Sequence, residues 1–557
     1  MKDELENRFP IPPLGSSKAS SFDLKPKAVD RWLEQLPLAS GGKAAEVMLS
    51  AIEQVNSHDF DLEERLHFLD GLSEKVSTVS TWLRGQYLSR NLPLTAPVQA
   101  VAHLDYRLMV GMGLGYRIAL ARTPDRGIKG FLSRKKLERL PNTILGYLAS
   151  ASLVIEECAL NYPEGIWNRM HALYQFCVQR KLQCIAAPPS GRIGNTSAEA
   201  TYKGVLLLSL AGVHQFPRLE ADQVVALVLR GGKEASLRPP QSGESAIIVD
   251  VESDAPPVHS SRKPMRGERL LTLDTGTVTA SMNTQLAANF GLSSYTVARL
   301  RNRWSPAPDR MHPRLQTDKR VRLVAGLTSV HRYLTAVNEP AAPRVIQMQS
   351  AMAEALAGED LPDEMTEPAS DRDDRVPAPD TRFTETYILG LPANTWSRYL
   401  EDFVEPATCS LVDISPGGYR LRLGSDPKIP LKLGDIVATQ AIGDSDEEVG
   451  RWPIGIVRWV STQGEQSECG IQLISPYAVP VHAKREGTEA LGPPVEGLLL
   501  PCASSERTLC TILLPGPHLK DGESLEIHYG PNVRGIKLGR IQDHGHGFTA
   551  YAFTDTA

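Results

Sequence analysis

Residues 411–421 read Leu-Val-Asp-Ile-Ser-Pro-Gly-Gly-Tyr-Arg-Leu. A strand that ends in Asp-x-Ser-x-x-Gly and restarts at once puts a carboxylate, a hydroxyl and a bare glycine in one turn. The Asp413 carboxylate can accept two donors from a guanine edge, and Ser415 adds a hydroxyl. Gly418 allows a φ > 0 turn and the close approach of a flat ligand. The same residues also suit a plain Asx or Ser turn in a hairpin. A second segment, Gln285 to Arg303, has the outline of a helix-turn-helix. Ala287 stands where two helices would cross, Gly291 at the turn, Ser293 at a helix cap, and Val297 toward the first helix. Arg299, Arg301 and Arg303 would then meet phosphates. Around it, residues 258–332 hold 13 basic residues against four acidic ones, a net of +9 and the footprint of a nucleic-acid face. Yet such geometry is common in helix packing away from DNA, and the flanks read as strands where a compact three-helix module needs helices. Nucleic acid is therefore not the expected partner. A DNA-binding regulator using 285–303 is the alternative.

Other chemistry is thin. There is no GxxxxGK, HExxH, GxSxG or protein-kinase set. Gly111, Gly113 and Gly115 lie inside an apolar helical stretch and read as close helix packing. Asp543-His544-Gly545-His546 offers imidazoles at i, i+2 without a third ligand, and reads as an exposed loop. No catalytic residue, metal ligand or cofactor is assigned, and a non-enzymatic protein is expected.

These residues need elements to hold them. The 557 residues exceed one compact domain, and length alone suggests about three or four. Apolar residues make up 41% and charged residues 22%, which excludes wholesale disorder. Sixty basic and 65 acidic residues leave a net charge of −5, which excludes a chain that coats nucleic acid along its length. Seven cysteines, odd in number and without Cys-x-x-Cys spacing, fit reduced thiols better than a disulfide scaffold or a zinc ribbon. The first 25 residues lack an apolar leader core, and Leu108 to Ala121 is short and interrupted by Arg117. No membrane insertion and a cytoplasmic location are expected.

Along the chain, residues 1–25 read as a polar tail and 26–232 as an all-α domain of about six to eight helices. Asp61 is a candidate N-cap, with Glu64 completing a capping box. Pro93, Pro141 and Pro163 fall where helices should break. Residues 245–345 read as a basic α+β middle domain. The segment 351–380, with ten acidic residues against two arginines, reads as a solvated linker. Short β-branched runs then mark a small barrel over 381–485, and 495–557 forms a further β-rich segment. The fold class is multidomain α + β: an all-α N-terminal helical domain, an α+β middle domain, and a C-terminal small β-barrel with additional β-strands.

The Asp-x-Ser-x-x-Gly turn is followed by Leu433-Gly434-Asp435-Ile436-Val437, then by Gly455-Ile456-Val457-Arg458-Trp459-Val460, then by Cys469-Gly470-Ile471-Gln472-Leu473. This succession, over about residues 400–480, resembles the PilZ domain, a small barrel that in many bacterial proteins binds cyclic di-GMP. The resemblance implies that Asp413, Ser415 and Gly418 read guanine. It also implies an Arg-x-x-x-Arg arm just before the barrel that clamps phosphates. Between Arg382 and Ser410 only Arg382 and Arg398 occur, sixteen apart, so the arm is missing from that place. The spacing recurs upstream at Arg310 and Arg314, which would reach the barrel from another domain or else reflect chance in an arginine-rich stretch. The resemblance thus implies a bacterial signalling or adaptor protein of the atypical, multidomain kind. Cyclic di-GMP would be its ligand, a protein partner would meet the helical domain, and the readout would lie in motility or surface attachment. A structural adaptor with a barrel that no longer binds nucleotide is the remaining alternative.

Overall fold

The computed structural model describes residues 2–20, 22–90, 92–123, 134–216, 220–261, 267, 269–282, 289–292, 294–307, 314–338, 406–423, 431–442, 452–463, 466–485, 494–501, 510–516 and 519–556. These fall into two units, Met1–Arg310 and Met311–Ala557.

The first unit begins with nine α-helices among the described residues: α1 (Lys2–Arg8), α2 (Pro26–Glu34), α3 (Gly41–Ser57), α4 (Leu62–Leu88), α5 (Ala96–Ala121), α6 (Arg134–Cys158), α7 (Ile166–Gln179), α8 (Ala198–Ala211) and α9 (Ala221–Glu234). A two-residue parallel pair, β1 (Gly15–Ser16) with β2 (His58–Asp59), ties the N-terminal stretch to the end of α3. Asp61 does cap α4, but it accepts from the Glu63 amide at 2.8 Å. The glycines of α5 pack as expected: a Cβ at Gly111 would crowd Ile52 of α3, and one at Gly115 would crowd Leu69 of α4. Two expectations change. Pro141 does not break a helix; α6 runs through it. A proline there forfeits one backbone bond, and the burial of Leu140, Ile144, Leu145 and Leu148 outweighs that loss. The 1–25 stretch is no free tail either. Leu5, Phe9 and Leu24 are buried, Arg8 donates to Gln175 and Asn168, and the Arg117 guanidinium lies 5.6 Å from the Phe9 ring centre. Three well-spaced apolar residues are enough to dock a polar segment.

A four-stranded antiparallel sheet follows, of β3 (Ser236–Arg238), β4 (Ile247–Asp250), β5 (Val258–His259) and β6 (Leu270–Asp274), in the order β3-β6-β4-β5. Then come α10 (Gly276–Ser281) and α11 (Ser294–Trp304). Ile247, Val249, Leu273, Val278, Leu300 and Trp304 enter the same core as Leu207 and Val228 of the helices. The first part of the expected middle domain therefore completes the helical unit.

The rest of that expected domain joins the second unit. There the described strands are β7 (Leu315–Gln316), β8 (Arg320–Ala325), β9 (Ala407–Ser415), β10 (Gly418–Leu423), β11 (Ile436–Ala441), β12 (Ile454–Gln463) and β13 (Gln466–Ser475), with α12 (Leu327–Asn338) after β8. The order β10-β13-β12-β11-β8-β9 closes on itself because β9 also pairs with β10, and β7 extends the free edge of β9. β8 pairs with β9 from Arg320↔Ser410 to Leu323↔Ala407. Residues 339–405 thus connect neighbouring strands of one barrel, through α12. The acidic 351–380 segment and the start of the expected 381–485 barrel lie in that connection, outside the described residues.

The C-terminal strands form a second closed barrel: β14 (Val479–Arg485), β15 (Val495–Leu500), β16 (Cys510–Leu514), β17 (Ser524–Tyr529), β18 (Asn532–Gly545) and β19 (Phe548–Asp555), in the order β14-β15-β16-β19-β18-β17. Its first strand comes from residues expected in the first barrel. Val481, Ile512, Ile527, Ile536 and Tyr551 fill it. A shared cluster holds the two barrels together, with Val330 and Leu334 of α12 meeting Ile436 and Ile454 on one side and Leu498, Leu513 and Phe548 on the other.

Candidate functional site

Strand β9 alternates inward Cys409 and Leu411 with outward Thr408 and Ser410. Continued regularly, that alternation would point Asp413 into the barrel. A bulge prevents it: Leu421 pairs with Leu411, but Arg420 pairs with Asp413, so Val412 is the extra residue. The bulge carries Asp413 to the face opposite Leu421, beside Arg420, in keeping with the way bulges re-aim a side chain. Asp413 is still only 8% exposed, because β7 lies along the other edge of β9, with Gln316 paired to Asp413.

Three arginines converge here. Arg314, immediately before β7, places Nη1 3.4 Å from Asp413 Oδ2. Arg420 Nη1 lies 3.9 Å from the same oxygen, while its Nη2 donates to Glu468 at 2.6 Å. Arg422 donates to the other Glu468 oxygen at 3.0 Å. The Arg420 guanidinium, with Arg422 behind it, holds the Glu468 carboxyl below its ordinary range. The row continues from Arg420 to Gly470, and from Gly470 to Trp459. A Cβ at Gly470 would strike the Trp459 indole, so the ring lies across that glycine on the same face. The result is a buried carboxylate flanked by guanidinium groups, with a half-buried indole further along.

Ser415 and Gly418 close the β9–β10 hairpin: they pair in register, and Ser415 Oγ donates to the Gly418 carbonyl at 3.2 Å. Gly418 is needed for a reason other than the expected left-handed turn. Its φ is not positive, but a Cβ there would overlap the Ile471 carbonyl of β13. Of the five expected ligand residues, Arg314, just before β7, lies together with Asp413 and Ser415 of β9 and Gly418 of β10. Arg310 lies outside the described residues. Arg420, Glu468 and Trp459 were not singled out from the sequence. The alternation Arg420-x-Arg422 was visible, but its partner Glu468 lies almost fifty residues away.

The other expected phosphate-contacting residues are differently engaged. In α11, Arg299 donates to Gln215 at 2.6 Å. Arg303 donates to Gln215 and to the Ala211 and Gly212 carbonyls, over the Phe216 ring. Trp304 Nε1 donates to the Leu207 carbonyl at 2.9 Å. Residues 283–288, with Ala287, and Ser293 lie outside the described residues. Two of the three arginines expected on DNA are thus turned onto the end of α8.

The Asp543–His546 run is not an exposed loop. Asp543 accepts from Arg458 of the first barrel at 2.5 Å, and His546 Nδ1 lies 2.7 Å from Asp435 Oδ1. The His546 amide donates to the Gly434 carbonyl at 3.0 Å. This run latches the second barrel to the first. Burial pushes the Asp435 carboxyl upward even with His546 beside it.

Comparison with known proteins gives a consistent result. Residues 27–241 match the family model described as the N-terminal domain of the cyclic-di-GMP receptor FimW, and residues 246–480 match the model described as its middle PilZ domain. The chain is 23% identical to the cyclic-di-GMP receptor FimW of Pseudomonas aeruginosa over 585 aligned residues, covering 99% of this chain and 94% of that one. The second match runs through the break between the two structural units, and it includes β8, the strand that precedes the long connection.

Proposed function

This chain belongs to the PilZ-type family of cyclic-di-GMP receptors, and from that premise we propose that its first barrel binds cyclic di-GMP on the face carrying Arg314, Asp413 and Arg420. The observation that supports the reading is the Arg314–Asp413 contact. It brings the second arginine of the upstream Arg-x-x-x-Arg onto the Asp-x-Ser-x-x-Gly turn, within one barrel. Asp413 accepts from a guanine edge. Arg314 and Arg420 turn from the carboxylates toward the ligand's phosphates, where planar guanidinium groups bind in bidentate fashion. Trp459 offers an aromatic face at the edge of the same row.

The protein works as a signalling adaptor without chemistry of its own. Binding shifts a conformational population, and the helical unit offers its surface to a protein partner in motility or surface-attachment control. No helix among the described residues is long and apolar enough to cross a membrane, which suits a cytoplasmic receptor. The DNA-reading alternative is disfavoured by the engagement of Arg299 and Arg303 within their own unit. Calorimetric titration of cyclic di-GMP into the full chain and into Asp413→Ala tests the assignment. Saturable binding is expected in the parent. The variant should bind at least about 100-fold more weakly, since each bond to a charged group is worth about 1.5–3 kcal/mol. No binding by the parent, or equal affinities, would refute it.

A further inference from the structure

His331, His482 and Glu496 come from three separate segments: α12, β14 and β15. Their donor atoms all lie within 4.8 Å of one another. His482 and Glu496 are directly opposite in the β14–β15 ladder, on the outer face of the second barrel. The inner face at this level is taken by Val481 and Ala483. Helix α12 lies over that outer face and lowers His331 onto the pair, with its ring 4.8 Å from the His482 ring at a steep angle. His331 is only 2% exposed; its ring lies beside the Val481 backbone, yet among the described residues neither ring nitrogen has a partner in good hydrogen-bond geometry. The Nε2 of His482 is likewise unsatisfied. Buried imidazole nitrogens left without good partners are costly, and two imidazoles facing one carboxylate suit a metal ion better than a packed core.

The geometry points to a binding site for a zinc-class divalent transition-metal ion, held by His331, His482 and Glu496 between α12 and the second barrel. Two imidazoles and one carboxylate form a familiar three-ligand set for such ions, with a fourth position left for water. Arg332 donates to Glu496 Oε1 at 3.4 Å and orients the carboxylate from behind, as outer partners do at metal sites. The ion would pin α12 to the second barrel, and α12 follows directly on β8 of the ligand-binding barrel. The metal would therefore fix the connection between the two barrels. This inference stands apart from the nucleotide assignment, because it shares no residue with that face.

The test uses the full chain without a histidine tag, stripped with a chelator and titrated with zinc chloride against a chromophoric competitor. One tightly held zinc per chain is expected, with a rise in melting temperature. His482→Ala and Glu496→Gln, both at partly exposed positions, should each weaken zinc at least tenfold and abolish the thermal gain. His331→Gln should do the same if it folds, and the first two variants decide the matter if it does not. Failure of the parent to hold one zinc, or retention of parental affinity in both His482→Ala and Glu496→Gln, would overturn the assignment.

Discussion

Two arginines of the first unit, Arg299 and Arg303, have the same four-residue spacing as Arg310 and Arg314, and the structure uses them differently. Arg303 lies against the end of α8, where Gly212 takes a left-handed φ of +59°. That turn leaves carbonyls pointing outward at the negative end of a helix, and a guanidinium satisfies them. Buried Glu156 also feels the Arg303 charge. Arg314, by contrast, has a side chain 62% exposed and, among the described residues, a long contact to Asp413. One guanidinium is committed to its own fold, while the other is loosely tethered at a carboxylate and free to turn. Spacing therefore says little about an arginine's role. On the proposed assignment, what separates Arg303 from the ligand-facing Arg314 is the number of acceptors already met and the solvent left around the group.

The largest effect expected from this contrast concerns Glu156. Burial raises its carboxyl to about 7, while Tyr162 donates to it at 2.7 Å. A folded value above the unfolded one means that the contribution of this group is fully present below about pH 4.5 and is lost as pH rises through 7. Glu156→Gln should therefore stabilise the protein by roughly 3 kcal/mol at pH 8.5 and by little at pH 4, since each tenfold gain in proton affinity on folding is worth about 1.4 kcal/mol. Chemical denaturation at the two pH values reads this directly, and a pH-independent effect would mean that the carboxyl is ionised in the fold.

Next in size is Arg303→Ala. It removes bonds to buried acceptors and should cost about 2 kcal/mol of stability, with the affinity for cyclic di-GMP unchanged. Reduced affinity with an unaltered denaturation curve would erase the distinction between the two sets of arginines. The smallest effect belongs to Arg422→Ala. Its pair with Glu468 is largely solvent-exposed, so the loss should stay under about 1 kcal/mol, and the affinity should change less than about twofold. A large loss would extend the ligand face beyond Arg420.

Helices and strands were largely legible from apolar periodicity, and the Asp413 turn was legible from residue types alone. Pairing over long separations was not. Val321 to Ala325 reads as a strand, but nothing local shows that Arg320 to Leu323 pair with residues 407–410 across the acidic insertion. For that reason Arg314 reads in the sequence as remote from the barrel. The bulge at Val412 was equally hidden: one extra residue, unremarkable in composition, decides which way Asp413 points. Leu5 and Phe9 anchor the N-terminal stretch with too few apolar residues to show a period. His331 lies far in sequence from His482 and Glu496, and no ligand spacing links the three.

On the proposed assignment the Arg314 arm and the Asp413 turn act as one ligand site on the first barrel. Parallel titrations of cyclic di-GMP into the full chain, Arg314→Ala and Arg303→Ala test it most directly. Equal dissociation constants are expected for the parent and Arg303→Ala, with Arg314→Ala weaker by about tenfold or more, the scale of one lost charge-assisted bond. Parental affinity in Arg314→Ala would show that the arm takes no part in binding.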